Sequence, residues 1–266
     1  MNSTDCQEWA EKAFLFVEAA LCQELATPLR ACMSEDYFRS AFVRGLAASM
    51  PERAGRIRVE ETVVWSRNAC INCGVQPSGR PIQHDVAVVD GAETPEFVCE
   101  VKWLKRGGSR LIGKDLWKLA LTRGTASEGE AVRTYILIGG EADALSNTLS
   151  TLRADRGPNF RWSNAGRQAG APATKEISLE RYAQLAGGHE ALKELLRWGK
   201  TQWHLRTPPE CWRRAKLARR SEPWRRTIDG MGWRAVLFEL HHHGVQGNGG
   251  MNPVEVSGLT CACRRR

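Results

Sequence analysis

The chain has 266 residues, 42% apolar and 26% charged. That is the composition of an ordinary globular protein, long enough for one large core or a core with an appendage. No apolar stretch approaches the ~20 residues that span a bilayer, and Asp5, Glu8 and Glu11 stand where a secretory signal would be basic. We therefore expect a cytoplasmic protein without membrane contact, with export by a route that reads no N-terminal signal left open.

The net charge of +8 favours polyanionic partners. The nine cysteines are an odd number, and Cys22, Cys32 and Cys99 sit in apolar segments. That pattern fits reduced thiols better than a disulfide framework.

Taken in chain order, the first predicted element is a helix over about Asp5 to Leu25. Phe14, Val17, Leu21 and Leu25 recur on one face, and Thr4 and Gln7 have capping-box spacing. A second helix starts after Ser34, a good N-cap, and runs to about Ala48. Pro51 and Gly55 break the chain. Ile57 to Trp65 alternates as a strand, and residues 66–81 read as a turn-rich loop.

Two apolar strands follow, at about 83–90 and 97–103, joined by a short Gly/Pro-containing turn that predicts a hairpin. A helix is expected over about 110–123, with Ile112, Leu116 and Leu119 as its core stripe. Arg133 to Ile138 is another strand, closed by Gly139 and Gly140. Further helices are expected over about 141–153, 179–186 and 189–203. A late strand is expected over Trp233 to Leu240. Residues 244–266 are Gly-rich and then basic. The expected fold class is α/β, a central mixed sheet flanked by helices, with a basic and mainly helical C-terminal elaboration. The expected division is a core with N-terminal helices over 1–150, the elaboration over 151–243, and a tail from 244.

Charge is uneven along this chain. Between Arg197 and Arg226 ten Lys/Arg face only Glu210 and Glu222, interleaved with Trp198, Trp203, Trp212 and Trp224. Cations among aromatics suit a phosphate backbone and exposed bases. A solvated helical face with Trp anchors in the core reads equally well.

Asp85, Glu100 and Lys102 are the residues that most need explaining. They lie in the runs His84-Asp85-Val86-Ala87-Val88-Val89 and Phe97-Val98-Cys99-Glu100-Val101-Lys102-Trp103, which are apolar on both faces and so suit covered strands. A buried charge costs several kcal/mol unless it is paired or metal-bound. Alternation puts Glu100 and Lys102 on one side of their strand, where Asp85 of a neighbouring strand can join them. Two carboxylates and an amine on one face can hold a divalent cation and an attacking water. A cross-strand salt-bridge set is the plainer alternative.

An Asp in one strand, a Glu-x-Lys closing the next and a helix directly after resemble the PD-(D/E)XK nuclease superfamily, with its restriction-endonuclease-like fold. The match is carried by Asp85, Glu100 and Lys102 over roughly residues 30–140, and His84 stands where that family often has proline. The resemblance implies a nuclease dependent on Mg²⁺ or Mn²⁺. Asp85, Glu100 and the Val101 carbonyl would hold the metal, and Lys102 would orient the water or stabilise the transition state.

The family often has a glutamate on the helix before the first strand, and Glu35 is in that place, where the resemblance implies that it would hold a second or water-bridged metal. Helical spacing independently puts Glu35 on the face of Phe42 and Leu46, though it can also simply complement the helix N-terminus. The family often has a polar or basic residue on the helix after Glu-x-Lys. Lys114 is the candidate, and Lys118 reads more as a solvated basic face.

The implied partner is nucleic acid, DNA first and RNA as the alternative, cut by a monomer or by a homodimer. A toxin or defence role and a non-catalytic nucleic-acid-binding protein are the competing functional readings. Cys70 and Cys73 have zinc-knuckle spacing but no clear second pair, so zinc is not expected. No phosphate-cradling loop appears, so no NTP dependence is expected.

Overall fold

The computed structural model describes residues 3–62, 83–105, 112, 115, 116, 118, 119, 122, 132–145, 176–178, 215–219 and 224–242. These residues build a mixed α/β architecture around one eight-stranded mixed sheet.

Helix α1 (Ser3–Glu24) and helix α2 (Glu35–Ser49) come first. Phe14, Val17, Leu21 and Leu25 are all buried, as their spacing predicts. Ser3 is already helical, so Thr4 lies within α1 and not at the N-cap position expected for it. The Gln7 amide donates forward to Glu11 Oε1 at 2.7 Å, because a residue inside a helix meets its i+4 neighbour. Ser34 does cap α2, its Oγ accepting the Tyr37 N–H at 3.2 Å. A 3₁₀ turn, Pro28–Cys32, joins the two helices.

The strands follow as β1 (Ile57–Thr62), β2 (Gln83–Val89), β3 (Pro95–Leu104), β4 (Arg133–Glu141), β5 (Glu176–Ser178), β6 (Ala215–Arg219), β7 (Trp224–Ile228) and β8 (Met231–His242). The sheet order is β1-β2-β3-β4-β8-β6-β5, with β7 also paired to β8. β2 and β3 form the expected antiparallel hairpin, and β3 and β4 run parallel. A parallel pair needs a crossover, and residues 112, 115, 116, 118, 119 and 122 of that crossover are helical.

Within the region expected to be mainly helical, the described residues between 151 and 243 all belong to strands or to the β7–β8 turn. Asp229 and Gly230 both have positive φ, 49° and 75°, the two-residue turn that closes right-twisted hairpins. The late strand is found as β8. It pairs with β4 along one edge, and with β7 and then β6 along the other. The helices expected over 179–186 and 189–203, Trp198, Trp203, Trp212 and the tail from 244 lie outside the described residues.

One face of the sheet packs against α1 and α2. Phe97 stacks between Phe42 and Tyr135, with ring centroids at 6.4 and 4.9 Å. Trp103 lies on Phe38 at 5.0 Å and on Trp233 at 5.9 Å. Ile112, Leu116 and Leu119 are buried as the expected stripe. Gly140 sits in β4 with φ 144° beside the Leu104 backbone, where a Cβ would overlap the Leu104 carbonyl. The closure expected at Gly139-Gly140 is instead a close strand contact, and β4 continues to Glu141. Among the described residues no helix is long and apolar enough to cross a membrane.

Candidate active site

The site grows from the place where β2 and β3 part. Their ladder ends at the pair Val86–Cys99. Beyond it, β3 has N–H groups without a strand partner on that side among the described residues, and an unpaired buried N–H is costly. Side-chain carboxylates take them. Asp85 Oδ2 accepts the Val101 N–H at 2.8 Å, and Glu35 Oε2 accepts the Trp103 N–H at 3.4 Å. Glu35 comes from the first turn of α2, placed by the Ser34 cap.

Glu100 and Lys102 leave β3 on the face away from α2, as alternation requires. Glu100 is buried. Its Oε1 lies 2.6 Å from His84 Nδ1 and its Oε2 lies 2.6 Å from Lys118 Nζ. Lys102 Nζ lies 3.1 Å from Glu35 Oε1 and 3.3 Å from Asp115 Oδ2. Lys118 Nζ also meets Asp115 Oδ1 and the Gln83 carbonyl, both at 3.2 Å. Asp115 thus links the two lysines, and one network joins Glu35, Lys102, Asp115, Lys118, Glu100 and His84.

Electrostatics follow from burial and charge. Burial pushes the Glu100 carboxyl up, and the charges of Asp115 and Asp85 push the same way while Lys118 pulls it down. Burial works against the Lys118 ammonium, but Glu100, Asp115 and Asp85 outweigh it and raise its pKa. Lys102 is likewise raised, with burial opposed by Asp115 and Glu35. Both lysines are therefore cations at neutral pH. His84 is fully buried, and burial together with the Lys118 charge lowers it to about 3. It is neutral, so its Nδ1–H donates to Glu100, and Nε2 accepts from the Thr122 hydroxyl at 2.8 Å. This tautomer is assigned from the hydrogen-bond pattern.

At the outer rim, Arg39 binds Glu60 at 3.1 Å and Asp36 at 2.7 Å, and stands 3.7 Å from Asp85. Glu60 falls between the register pairs Val59–Val86 and Glu61–His84, opposite Asp85, with φ 55°. Like charges facing across a ladder repel, and Arg39 offsets that.

Four carboxylates, Glu35, Asp85, Glu100 and Asp115, therefore meet two lysines, with Arg39 shared at the rim. The excess negative charge suits a divalent cation with oxygen ligands. Asp115 Oδ2 adds to this fit, because it is buried without a hydrogen bond among the described residues. The Lys102 ammonium is near it but not aligned to donate. Among the described residues, however, no three His, Cys, Asp or Glu side chains stand together as a ready cation cage.

Of the residues singled out from sequence, Asp85, Glu100, Val101, Lys102 and Glu35 are brought together. Lys114, Cys70 and Cys73 lie outside the described residues. Lys118 is not the solvated face it resembles, because it is the ion partner of Glu100. Sequence reasoning passed over Asp115, Thr122, His84 and Arg39. The readable signal was Asp115, Lys118 and Thr122 at i, i+3 and i+7, one helical face beside the apolar stripe.

Compared with protein-family models, curated proteins and solved structures, the chain matches none.

Proposed function

We propose that this chain is a metal-dependent nuclease with a restriction-endonuclease-like core, hydrolysing phosphodiester bonds in nucleic acid, DNA first. The observation that carries the reading is the convergence of Asp85, Glu100, Lys102 and Glu35 at the point where β2 and β3 part.

Asp85, Glu100 and the Val101 carbonyl, with Asp115, are the residues that would hold Mg²⁺ or Mn²⁺. Such a cation supplies a water of lowered pKa and neutralises charge on the phosphate. Lys102 stays protonated between Glu35 and Asp115, and an ammonium so held can orient the attacking water and stabilise the added charge on phosphorus. Glu35 fixes Lys102 and the Trp103 backbone together. The His84–Thr122 pair holds the Glu100 carboxylate in one orientation.

A second reading, a nucleic-acid-binding protein without catalysis, draws on the Lys118–Glu100 ion pair, which satisfies Glu100 without any metal. Purified protein should be tested on supercoiled plasmid, single-stranded DNA and structured RNA, with Mg²⁺, with EDTA, and with Lys102→Ala in parallel. Metal-dependent cutting lost in the variant is the expected outcome and names the substrate. Salt-sensitive binding without any cutting would replace the nuclease reading by the second one.

A further inference from the structure

Three oxygens, from β3, the crossover helix and β2, surround the Lys118 ammonium. Its Nζ lies 2.6 Å from Glu100 Oε2, 3.2 Å from Asp115 Oδ1 and 3.2 Å from the Gln83 carbonyl. Two carboxylates and a backbone carbonyl are the ligand types that hard divalent cations take. A side-chain ammonium already stands among them.

The oxygens are held more firmly than the ammonium. Glu100 and His84 are buried, and Glu100 Oε1 is tied to His84 Nδ1 at 2.6 Å, with Thr122 on the other ring nitrogen at 2.8 Å. The Gln83 oxygen belongs to the backbone of β2. Lys118 arrives on a flexible four-carbon stem, and its side chain is 17% exposed against 1% for Glu100. The ammonium has a route to water that the Glu100 carboxylate lacks.

Asp115 supplies an independent sign. It is only 7% exposed, yet its Oδ2 has no hydrogen bond among the described residues. A buried acceptor left unmatched is costly. Lys118 meets the other oxygen, Oδ1. Carboxylates bind divalent cations through one oxygen or both, so a cation in the place of the ammonium has a further ligand atom within the same carboxylate.

A dication cannot simply be added beside Lys118. Glu100 Oε2 can accept a second partner, but a dication and an ammonium on one buried oxygen repel strongly. One of the two must leave, and Lys118 has the route.

We propose that Lys118 is a tethered cation that keeps the place of the divalent metal. In the metal-free chain its ammonium neutralises Glu100 and Asp115, and Mg²⁺ or Mn²⁺ binds these carboxylates by displacing it. The assignment rests on the nuclease reading and deepens it, because it names what the metal must displace. Metal affinity is then set by a contest within the chain. A site that its own lysine fills about nine-tenths of the time binds metal about tenfold more weakly than an open one.

The test titrates Mn²⁺ by calorimetry into wild type and Lys118→Met, without nucleic acid. Lys118→Met should bind at least about tenfold more tightly. Its melting temperature, lowered in EDTA, should return toward wild type in Mn²⁺. Adding Glu100→Gln removes a ligand as well as the competitor and should abolish the gain. Wild type gives a second reading that needs no variant to fold: Mg²⁺ should raise the labelling of Lys118 by an amine reagent, followed by peptide mapping, well above its level in EDTA. Equal Mn²⁺ affinity in wild type and Lys118→Met, or Lys118 labelling that bound metal leaves unchanged, overturns the tethered cation alone when the wild-type chain still cuts in Mg²⁺. Neither chain binding Mn²⁺, with no cutting in Mg²⁺, overturns the tethered cation and the nuclease reading together.

Discussion

Asp85 Oδ2 accepts the Val101 N–H at 2.8 Å where β2 leaves β3. A side chain thus continues a ladder that the backbone has abandoned. The same bond fixes Asp85 between Glu100 and Lys102 in sequence terms, so the opening of the sheet and the placing of the carboxylate are one event. Asp85→Asn can still accept that N–H. It should fold normally and lose metal binding by calorimetry, whereas Asp85→Ala should lose both metal binding and thermal stability.

Lys102→Ala should lower the cleavage rate by about 10²–10³, the usual cost of removing one charge-stabilising donor. Metal affinity should change far less than the cleavage rate, because Lys102 pairs with Glu35 and Asp115 but with neither Asp85 nor Glu100. A variant that cuts at full rate removes Lys102 from the chemistry.

Lys118→Met leaves Glu100 buried beside neutral His84 without its counter-charge. Breaking a buried pair in this way costs about 3–5 kcal/mol, read by chemical denaturation. Adding Glu100→Gln to Lys118→Met should recover much of the loss, since no charge is then stranded. If the two substitutions simply add, the pair is not coupled.

Thr122→Val keeps the shape of the side chain but removes the hydroxyl that faces His84 Nε2. A buried nitrogen left unmatched should cost about 1–3 kcal/mol. The histidine ring protons should shift in an NMR spectrum, reporting the loss at the residue itself.

Burial, with the Glu96 charge next, pushes the Cys6 thiol up to about 12, against about 8.5 for a free thiol. Its folded value lies above its unfolded one. The stability it contributes is therefore whole below pH ~8.5–9 and is lost as pH rises toward 12. Cys6→Ala should flatten the alkaline limb of the stability curve relative to wild type. At pH 8 a thiol reagent should label exposed Cys32 well before Cys6.

Much of the frame could be read from residue order because single residues decide it. Ser34 starts α2, and the spacing of Phe14, Val17, Leu21 and Leu25 turns α1 to the core. Asp85, Glu100 and Lys102 were visible because charge in a two-sided apolar strand is anomalous. Asp115, Lys118 and Thr122 were not, because a helix face of mixed charge looks the same whether water or Glu100 covers it. His84 was hidden for a related reason, since only depth separates a buried neutral imidazole from a strand-end surface histidine. The β7–β8 hairpin was missed although Asp229-Gly230 is a strong turn signal. The basic, Trp-rich composition around it drew a helical reading, and pairing with β8 overrides such local preference.

The position of β8 has a consequence for synthesis. β4 ends at Glu141 and β8 begins at Met231. At a ribosomal pace of ~5–20 residues per second, several seconds separate the two. Throughout that interval the growing chain carries β4, an apolar strand from Thr134 to Gly140, with one edge bare. Bare edges recruit other chains. The nascent protein should therefore be most vulnerable to self-association between these two strands, and a chaperone that holds β4 until β8 arrives should raise the soluble yield more than one supplied after release.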